Sequence, residues 1–369
     1  MQPNGTILVA CQDEIVFEKG FGVADVLNET AATSDTQYLL ASSSKQFTAV
    51  ALLKALYDKN AKTGLLKRDH INLQKYIEID LNSTISNYLP KEHPIWAGNM
   101  PFWAQEITLH QLLTHSSGIA NVTSLPKFAK FRDSPPNISD LISFFKNEKL
   151  EFKPGAKYAY SNSNYILLGE IIQQITGISL DFYMQKVLFD PINMHSTFMA
   201  LKGTVNDLKQ FDTRANKLAR GYNFDVTVHP VTFTEVKKYE PMQIPRGAGS
   251  IISTAPDVLK WNNALYSGKI IPIFLLKLML ASYMPVEENI SYGYGIKIVN
   301  SKELGTYYYH NGSIPGFLSN ITYIPSLQLT IICLTNTKAI QSKSYEIQQK
   351  RYDFVGISQF IIKTLENQA

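Results

Sequence analysis

Three occurrences of Ser-x-x-Lys are the first candidates for chemistry in this sequence. A serine and a lysine three positions apart share one helix face, so the amine can take the hydroxyl proton and make the serine a nucleophile. The pairs are Ser42 with Lys45, Ser124 with Lys127, and Ser143 with Lys146. The spacing alone does not choose among them, so the surrounding sequence must.

Only the pair at Ser42 stands at the start of a helix that is apolar on nearly every face, residues 46–57 (QFTAVALLKALY). The unpaired N–H groups and positive dipole end of such a helix would face whatever the serine attacks, although an N-cap explains a serine there equally well. Pro126 favours a loop at the second pair. The third pair lies in a helical stretch in which Lys146 is expected to reach solvent.

Two further motifs supply groups for proton transfer and substrate binding. In Tyr160-Ser-Asn162, a tyrosine near an ammonium group can have its pKa lowered and act as acid or base, and the asparagine amide can orient a carbonyl. His310 ends a predicted strand and leads to Gly312, where a ligand can approach the backbone, and to the N–H of Ser313, which can face an oxyanion. A tyrosine packed under a loop and an exposed strand-end histidine are the structural alternatives.

No metal, phosphate or dinucleotide site is indicated. His110 and His115 are five positions apart, which is wrong for two metal ligands on one helix face, and no cysteine or carboxylate cluster accompanies them. The phosphate loop ending in Gly-Lys-Ser/Thr and the Gly-x-Gly-x-x-Gly turn are both absent. We therefore expect catalysis without a metal or a cofactor.

Composition restricts the partners. With 45% apolar residues the chain is globular, and its 35 basic and 31 acidic residues form no block of like charge, which argues against a nucleic-acid partner. No apolar run approaches the length of a transmembrane segment. Cys11 and Cys333 lie in strand-like apolar runs and are expected to be buried free thiols. The expected partner is a small-molecule or peptide substrate, and the sequence leaves the oligomeric state open.

The elements that must position these residues indicate an α/β (α+β) fold. Strand patterns lie at both chain ends, at 7–11, 15–17, 249–253, 293–299, 306–309, 318–324 and 327–334, and can form one antiparallel sheet. An amphipathic helix at 344–367 would cover one face of it, and helical patterns at 46–57, 109–113, 138–146 and 165–176 lie between the strand groups. We predict an antiparallel sheet flanked by helices in a domain of residues 1–41 and 240–369, an inserted mostly helical domain of residues 42–239, and an active site at their interface.

The order of the motifs, Ser-x-x-Lys, Tyr-x-Asn and His-x-Gly, resembles the serine β-lactamase and penicillin-binding-protein superfamily in its class C-like branch. Similar blocks extend along nearly the whole chain: 19–25 (KGFGVAD), 112–118 (LLTHSSG), 247–250 (GAGS) and 292–295 (YGYG). The branch includes β-lactamases, D,D-carboxypeptidases, D-amino-acid peptidases and esterases. The resemblance implies a β-lactamase/transpeptidase-like fold and a serine hydrolase that forms an acyl-enzyme.

The resemblance also implies roles for the first two motifs. Ser42 would be the acylated nucleophile and Lys45 its proton acceptor. Tyr160 would pass protons to the leaving group and activate the deacylating water, while Asn162 would hold the substrate amide.

At the third motif, the resemblance places His310 where class C β-lactamases typically carry the lysine of Lys-Thr-Gly, and so favours the D,D-carboxypeptidase and esterase members. The N–H groups of Ser42 and Ser313, the latter after Gly312, would form the oxyanion hole. The resemblance further implies that His115 and Gly118 belong to a family turn with a structural role. A true β-lactamase and a catalytically silent binding or assembly protein are the alternatives. By analogy the protein would be periplasmic or secreted if a signal was trimmed, and otherwise cytoplasmic.

Overall fold

The computed structural model describes residues 4–62, 70–126, 128, 136–224, 233–236, 245–339 and 354–367. Its strands are β1 (Gly5–Cys11), β2 (Glu14–Phe21), β3 (Val23–Asp25), β4 (Thr30–Ala31), β5 (Tyr38–Leu39), β6 (Phe198–Met199), β7 (Tyr222–Phe224), β8 (Phe233–Glu235), β9 (Ile251–Ser253), β10 (Met284–Glu287), β11 (Ile290–Tyr292), β12 (Lys297–Ser301), β13 (Gly305–Ile314), β14 (Phe317–Ile324), β15 (Leu329–Thr335) and β16 (Thr337–Ala339). Its helices are α1 (Ser44–Lys62), α2 (His70–Asn82), α3 (Leu109–Leu113), α4 (Ile138–Lys146), α5 (Asn162–Thr176), α6 (Leu180–Met184), α7 (Val205–Phe211), α8 (Ala255–Tyr266), α9 (Ile273–Met279) and α10 (Phe354–Glu366).

The main sheet joins both ends of the chain. Its strand order is β10-β11-β12-β13-β14-β15-β1-β2, and each neighbouring pair is antiparallel. The N-terminal strand β1 lies beside β15, with Leu8 opposite Ile332. Because β15 is buried along its whole length, its sequence LTIICLT is nearly continuous in apolar residues. The predicted α/β fold with an antiparallel sheet and flanking helices is confirmed.

One predicted strand of that sheet lies elsewhere. The pattern at 249–253 becomes β9, which pairs with β5 and β6 in a separate three-stranded sheet. The prediction of a single sheet is wrong for this segment because its backbone partners come from the region around Leu40, whose N–H donates to the Ile251 carbonyl at 2.9 Å. As a result, β9 supports the turn that carries Ser42.

Helices α1 and α5 form the centre of the protein. Helix α1 is buried on nearly all sides, as its sequence predicts, and Phe47 stacks on Trp261 with ring centroids 4.0 Å apart. Helix α5 begins at Asn162, three residues before the predicted start, and Gly177 closes it with a left-handed φ of 73°. One apolar cluster continues from these helices to the main sheet, and the division into two domains stays a prediction.

Helix α10 covers the other face of the main sheet, where Ile357 and Ile361 pack on the cluster that contains Ile331 and Cys333. Residues 344–353 of the predicted helix lie outside the described residues. Neither cysteine forms a disulfide, as predicted, although Cys11 is half-buried, because it ends β1 beside the exposed strand β2. In the part of the chain that the structure describes, no helix combines the length and apolarity needed to cross a membrane.

Candidate active site

Ser42 lies in a 3-10 turn, Ala41–Ser43, that leads directly into α1. Ala41 has a φ of 46°, a left-handed conformation that residues other than glycine rarely adopt, so the chain bends sharply before the helix. The turn is tied to the main sheet because Ser43 Oγ donates a hydrogen bond to the His310 carbonyl at 3.0 Å. These constraints hold the half-buried Ser42 at the start of α1 and beside β13.

Lys45 is fully buried next to Ser42, one helical turn into α1. Its Nζ lies 3.1 Å from Ser42 Oγ, 2.8 Å from Asn162 Oδ1 and 2.8 Å from the Ala248 carbonyl oxygen. Burial lowers the pKa of Lys45 well below its ordinary value, which favours the neutral amine. A neutral amine has two N–H bonds and one lone pair. Because the amide and carbonyl oxygens only accept hydrogen bonds, they take both N–H groups and leave the lone pair for the Ser42 hydroxyl.

Tyr160 completes the contacts of the Ser42 hydroxyl. Its OH donates to Ser42 Oγ at 2.8 Å, and its ring centroid lies 4.8 Å from Lys45 Nζ. Burial raises the pKa of Tyr160, and the hydrogen bond with Ser42 only partly offsets this effect. The expected lowering by a nearby ammonium group is therefore wrong for this structure, because burial dominates the pKa of Tyr160. Tyr160 is a protonated phenol that can donate a proton. The Ser42 hydroxyl contacts Lys45 and Tyr160, so the structure does not support the alternative that Ser42 serves only as a helix N-cap.

Asn162, the first residue of α5, holds Lys45 in place. Its Oδ1 accepts from Lys45, and its Nδ2 donates to Thr123 Oγ1 at 3.0 Å. Its backbone N–H donates to Asn121 Oδ1 at 3.0 Å, which fixes the start of the helix to the loop after α3. The side chain also lines the cleft, so it connects Lys45 with the substrate space.

His310 is buried behind the cleft and is neutral. The Asn311 carbonyl can only accept, so His310 Nδ1 donates to it at 2.7 Å, and the Nε2 lone pair accepts from the Tyr292 hydroxyl at 3.0 Å. Burial lowers the pKa of His310 to about 3. The alternative of an exposed strand-end histidine is wrong, because the side chain is 1% exposed. A direct contact between the His310 imidazole and substrate stays a prediction.

Gly312 allows β13 to approach Ser42 closely. A Cβ atom at this position would lie 2.1 Å from the Leu40 carbonyl oxygen and 3.0 Å from the Ser42 nitrogen, so a side chain would push the strand away. Ser313, the next residue, lines the same cleft as Ser42. The oxyanion-hole role of the two N–H groups stays a prediction.

The cleft above Ser42 has a volume of about 300 Å³. Phe128, Ile166 and Ile314 give it apolar walls, while Asn162 and Ser313 add polar groups. Among the lining residues in the described part of the chain, Lys338 on β16 carries a charge. Such a cleft fits a small or extended substrate with an apolar group.

The other two Ser-x-x-Lys pairs do not form this arrangement. Ser143 Oγ donates to the Asp140 carbonyl at 2.6 Å, and Lys146 Nζ donates to the Trp96 carbonyl. The expectation that Lys146 reaches solvent is wrong, because α4 packs this residue against the turn at Trp96 and leaves it 6% exposed. Ser124 is exposed at the end of a 3-10 turn, and Lys127 lies outside the described residues.

The sequence did not predict two groups at the candidate site, the Ala248 carbonyl and the Lys338 side chain. The Ala248 carbonyl, which accepts from Lys45, lies in the GAGS block, but a backbone acceptor leaves no mark on side-chain patterns. Lys338 follows β15 directly, and its position at the cleft depends on the parallel pairing of β16 with β7. Within the described residues, no group of three potential ligands could hold a metal ion.

Comparison with known sequences identifies a family profile and several related proteins. The sequence profile of the Beta-lactamase family matches residues 1–351. Penicillin-binding protein 4* of Bacillus subtilis (strain 168) is 26% identical over 347 residues, which cover 91% of this chain and 68% of that protein. Protein flp of Staphylococcus aureus (strain MRSA252) is 26% identical over 373 residues, which cover 96% of this chain and 65% of that protein. The chain thus spans about two thirds of the length of these curated relatives.

Solved structures share the fold. A penicillin binding protein from Bacillus halodurans superposes with a TM-score of 0.72 at 20% identity, covering 97% of each chain. D-amino acid amidase from Ochrobactrum anthropi SV3, in complex with L-phenylalanine amide, superposes with a TM-score of 0.72 at 22% identity, covering 98% of this chain and 94% of the amidase. With 351 of 369 residues matched by the family profile, the resemblance seen in the motifs is confirmed. The chain belongs to the Beta-lactamase family, whose members are serine hydrolases.

Proposed function

We propose that this protein is a serine hydrolase that cleaves amide, peptide or ester bonds through an acyl-enzyme at Ser42. One observation carries the proposal: Ser42 Oγ lies at hydrogen-bond distance from both Lys45 Nζ, at 3.1 Å, and Tyr160 OH, at 2.8 Å. A base and an acid therefore contact the same hydroxyl at the edge of an open cleft. This arrangement argues against the alternative of a catalytically silent binding protein.

In the acylation step, neutral Lys45 takes the proton of Ser42 while Oγ attacks the substrate carbonyl carbon. The carbonyl oxygen becomes an oxyanion, for which the N–H groups of Ser42 and Ser313 are the proposed donors. When the bond to the leaving group breaks, Tyr160 gives that group its proton, and Lys45 returns a proton to the phenolate. Each proton taken from Ser42 is thus delivered to the leaving amine or alcohol.

Deacylation runs through the same groups in reverse. A water molecule takes the place of the leaving group, and Tyr160 and Lys45 together remove its proton as it attacks the ester of Ser42. The proton returns to Ser42 Oγ when the acid product leaves. No cofactor is needed for either half of the reaction.

The charge of His310, in the third motif, affects which substrates the cleft can bind. Because His310 is buried and has a pKa of about 3, it supplies no positive charge for a substrate carboxylate at neutral pH. We therefore favour neutral amides, peptides and esters over β-lactams, whose carboxylate would have to rely on Lys338 for a cation. Activity on amides has a parallel in the D-amino acid amidase that shares the fold.

An acyl-enzyme can be detected by its partitioning between water and hydroxylamine, even if it never accumulates. Several esters with the same acyl group and different alcohols would be hydrolysed in the presence of hydroxylamine. If all react through one acyl-Ser42, the ratio of hydroxamate to free acid is the same for every ester. A ratio that changes with the alcohol would contradict the proposal, since water and hydroxylamine would then attack the substrate directly. Rates on a neutral D-amino-acid amide, a D-Ala-D-Ala peptide and nitrocefin then rank the substrate classes.

A further inference from the structure

His115 lies directly beneath Tyr160 and binds the chain on both sides of it. The His115 carbonyl accepts from the N–H of Ala159 at 2.9 Å, and its Nδ1 accepts from the N–H of Ser161 at 3.2 Å. The imidazole also packs on the Tyr160 ring, with centroids 4.4 Å apart. Both backbone neighbours and the ring of Tyr160 are therefore fixed by one residue.

The hydrogen bonds assign the protonation state of His115. The N–H of Ser161 can only donate, so Nδ1 carries a lone pair, and the Asn164 amide points its Nδ2 at the same atom at 3.2 Å. The proton of the neutral ring is thus on Nε2. A second proton on Nδ1 would face the Ser161 N–H, and burial also lowers the pKa of His115 well below its ordinary value.

The surroundings of Nε2 are aromatic. Among the described residues Nε2 has no hydrogen-bond partner, and the ring centroids of Tyr165, Tyr292 and Tyr158 lie 5.1, 5.0 and 5.9 Å from that of His115. A buried polar atom left unpaired costs stability. The Nδ1 side, which holds the Tyr160 segment, is therefore the polar contact that a histidine provides here and an apolar ring would not.

We propose that His115 is a positioning residue that holds the Tyr160 hydroxyl in line for proton transfer to the leaving group. The inference rests on the proposed acyl-enzyme function and adds a specific dependence to it. A misplaced Tyr160 slows the reaction most when the leaving group needs its proton, as an amine or an alkyl alcohol does. A nitrophenolate leaves without that proton, so its release is insensitive to the position of Tyr160.

The test compares His115→Asn with His115→Phe on two substrates that share one acyl group, an amide and a nitrophenyl ester. Asparagine keeps an acceptor close to the Nδ1 position, whereas phenylalanine keeps the ring and removes the acceptor. We compare kcat/KM, which reports only the steps up to release of the leaving group and not deacylation, because deacylation also uses Tyr160. We expect His115→Phe to lower kcat/KM on the amide about 100-fold and on the nitrophenyl ester less than about 5-fold, and His115→Asn to recover most of the amide activity.

A matched control is Tyr165→Phe, which alters the same aromatic cluster by removing a hydrogen bond to the Leu113 carbonyl without touching the Tyr160 backbone. It should change both substrates equally. An equal loss on amide and ester for His115→Phe, at the same folded fraction by circular dichroism, would overturn the inference while leaving the acyl-enzyme intact. A wild-type enzyme whose hydroxylamine partition ratio varies with the leaving group would instead overturn the proposed function.

Discussion

Two Ser-x-x-Lys pairs in this protein have the same spacing and opposite surroundings. In the first, Lys45 Nζ lies 3.1 Å from Ser42 Oγ. In the other pair, Ser143 and Lys146 do not form a hydrogen bond with each other. Ser143 donates a hydrogen bond to the Asp140 carbonyl, and Lys146 donates one to the Trp96 carbonyl. Both lysines are buried. Burial and spacing are therefore shared, and the difference lies in what surrounds each lysine.

The position of the serine relative to its helix accounts for the difference. Ser42 precedes α1 in a separate turn, so its hydroxyl is free of the helix backbone. Ser143 lies inside α4, where the carbonyl three residues earlier is the nearest acceptor for its hydroxyl. Lys45 is also held by two acceptors, Asn162 and Ala248, which orient its lone pair. The Ser42 pair thus differs from the Ser143 pair in the turn before its helix and in the two acceptors that hold its lysine.

The comparison of the two pairs predicts that Ser42, and not Ser143, is the serine that reacts. We expect Ser42→Ala to lower kcat/KM by at least about 10⁴-fold, as loss of a nucleophile does in other serine hydrolases. Ser143→Ala is the matched control and should leave kcat/KM unchanged. Steady-state rates on a nitrophenyl ester measure both. The reverse pattern would make Ser143 the nucleophile.

Loss of Lys45 should affect activity, whereas loss of Lys146 should affect stability. Lys45→Met removes the base, and we expect a loss of about 10³-fold in kcat. Lys146→Met leaves the Trp96 carbonyl without its buried donor, so we expect the free energy of unfolding to fall by about 1–3 kcal/mol with normal activity per folded molecule. Urea denaturation and rate measurements on both variants check this. Normal activity in Lys45→Met would contradict the assigned base.

The pH profile sharpens the role of Lys45. Its pKa is lowered by burial, and the neutral form is the proposed base, so kcat/KM should rise with pH through that lowered pKa and level off well below the ordinary lysine pKa. The slope of this acidic limb is expected to be about tenfold per pH unit. Lys146→Met should not move it. A rate that rises only near the ordinary lysine pKa would mean that Lys45 is charged at rest.

A third lysine tests the charge of the cleft. Lys338 lines the cleft, whereas burial lowers the pKa of Lys45 well below its ordinary value and that of His310 to about 3. We expect Lys338→Met to lower kcat/KM about 5-fold on a substrate with a carboxylate, and to leave a neutral amide unaffected. Equal effects on both substrates would remove electrostatics as the cause.

The sequence was most informative where chemistry depends on residue type. The motifs at Ser42, Tyr160 and His310 predicted the fold family, and the structure brings Ser42, Lys45 and Tyr160 together. The alternating strands also predicted most of the main sheet. Long-range pairing was harder, because the short β9 joins a separate sheet through backbone partners that its own sequence does not indicate.

Burial and protonation were harder to predict from the sequence. The neutral state of His310 depends on a tyrosine eighteen residues earlier in the chain, Tyr292, and on the Asn311 carbonyl. The raised pKa of Tyr160 follows from its burial, whereas the sequence suggested that a lysine ammonium would lower it. Lys146 was expected in solvent because local sequence does not reveal the turn that packs over it.

The most direct measurement of the central claim is covalent labelling with a fluorophosphonate, followed by intact mass and peptide mapping. We predict one adduct per chain, located on Ser42, that forms on the wild type and on Ser143→Ala and is lost in Ser42→Ala. An adduct on another serine, or an unmodified wild type under conditions that label a known serine hydrolase, would contradict the account.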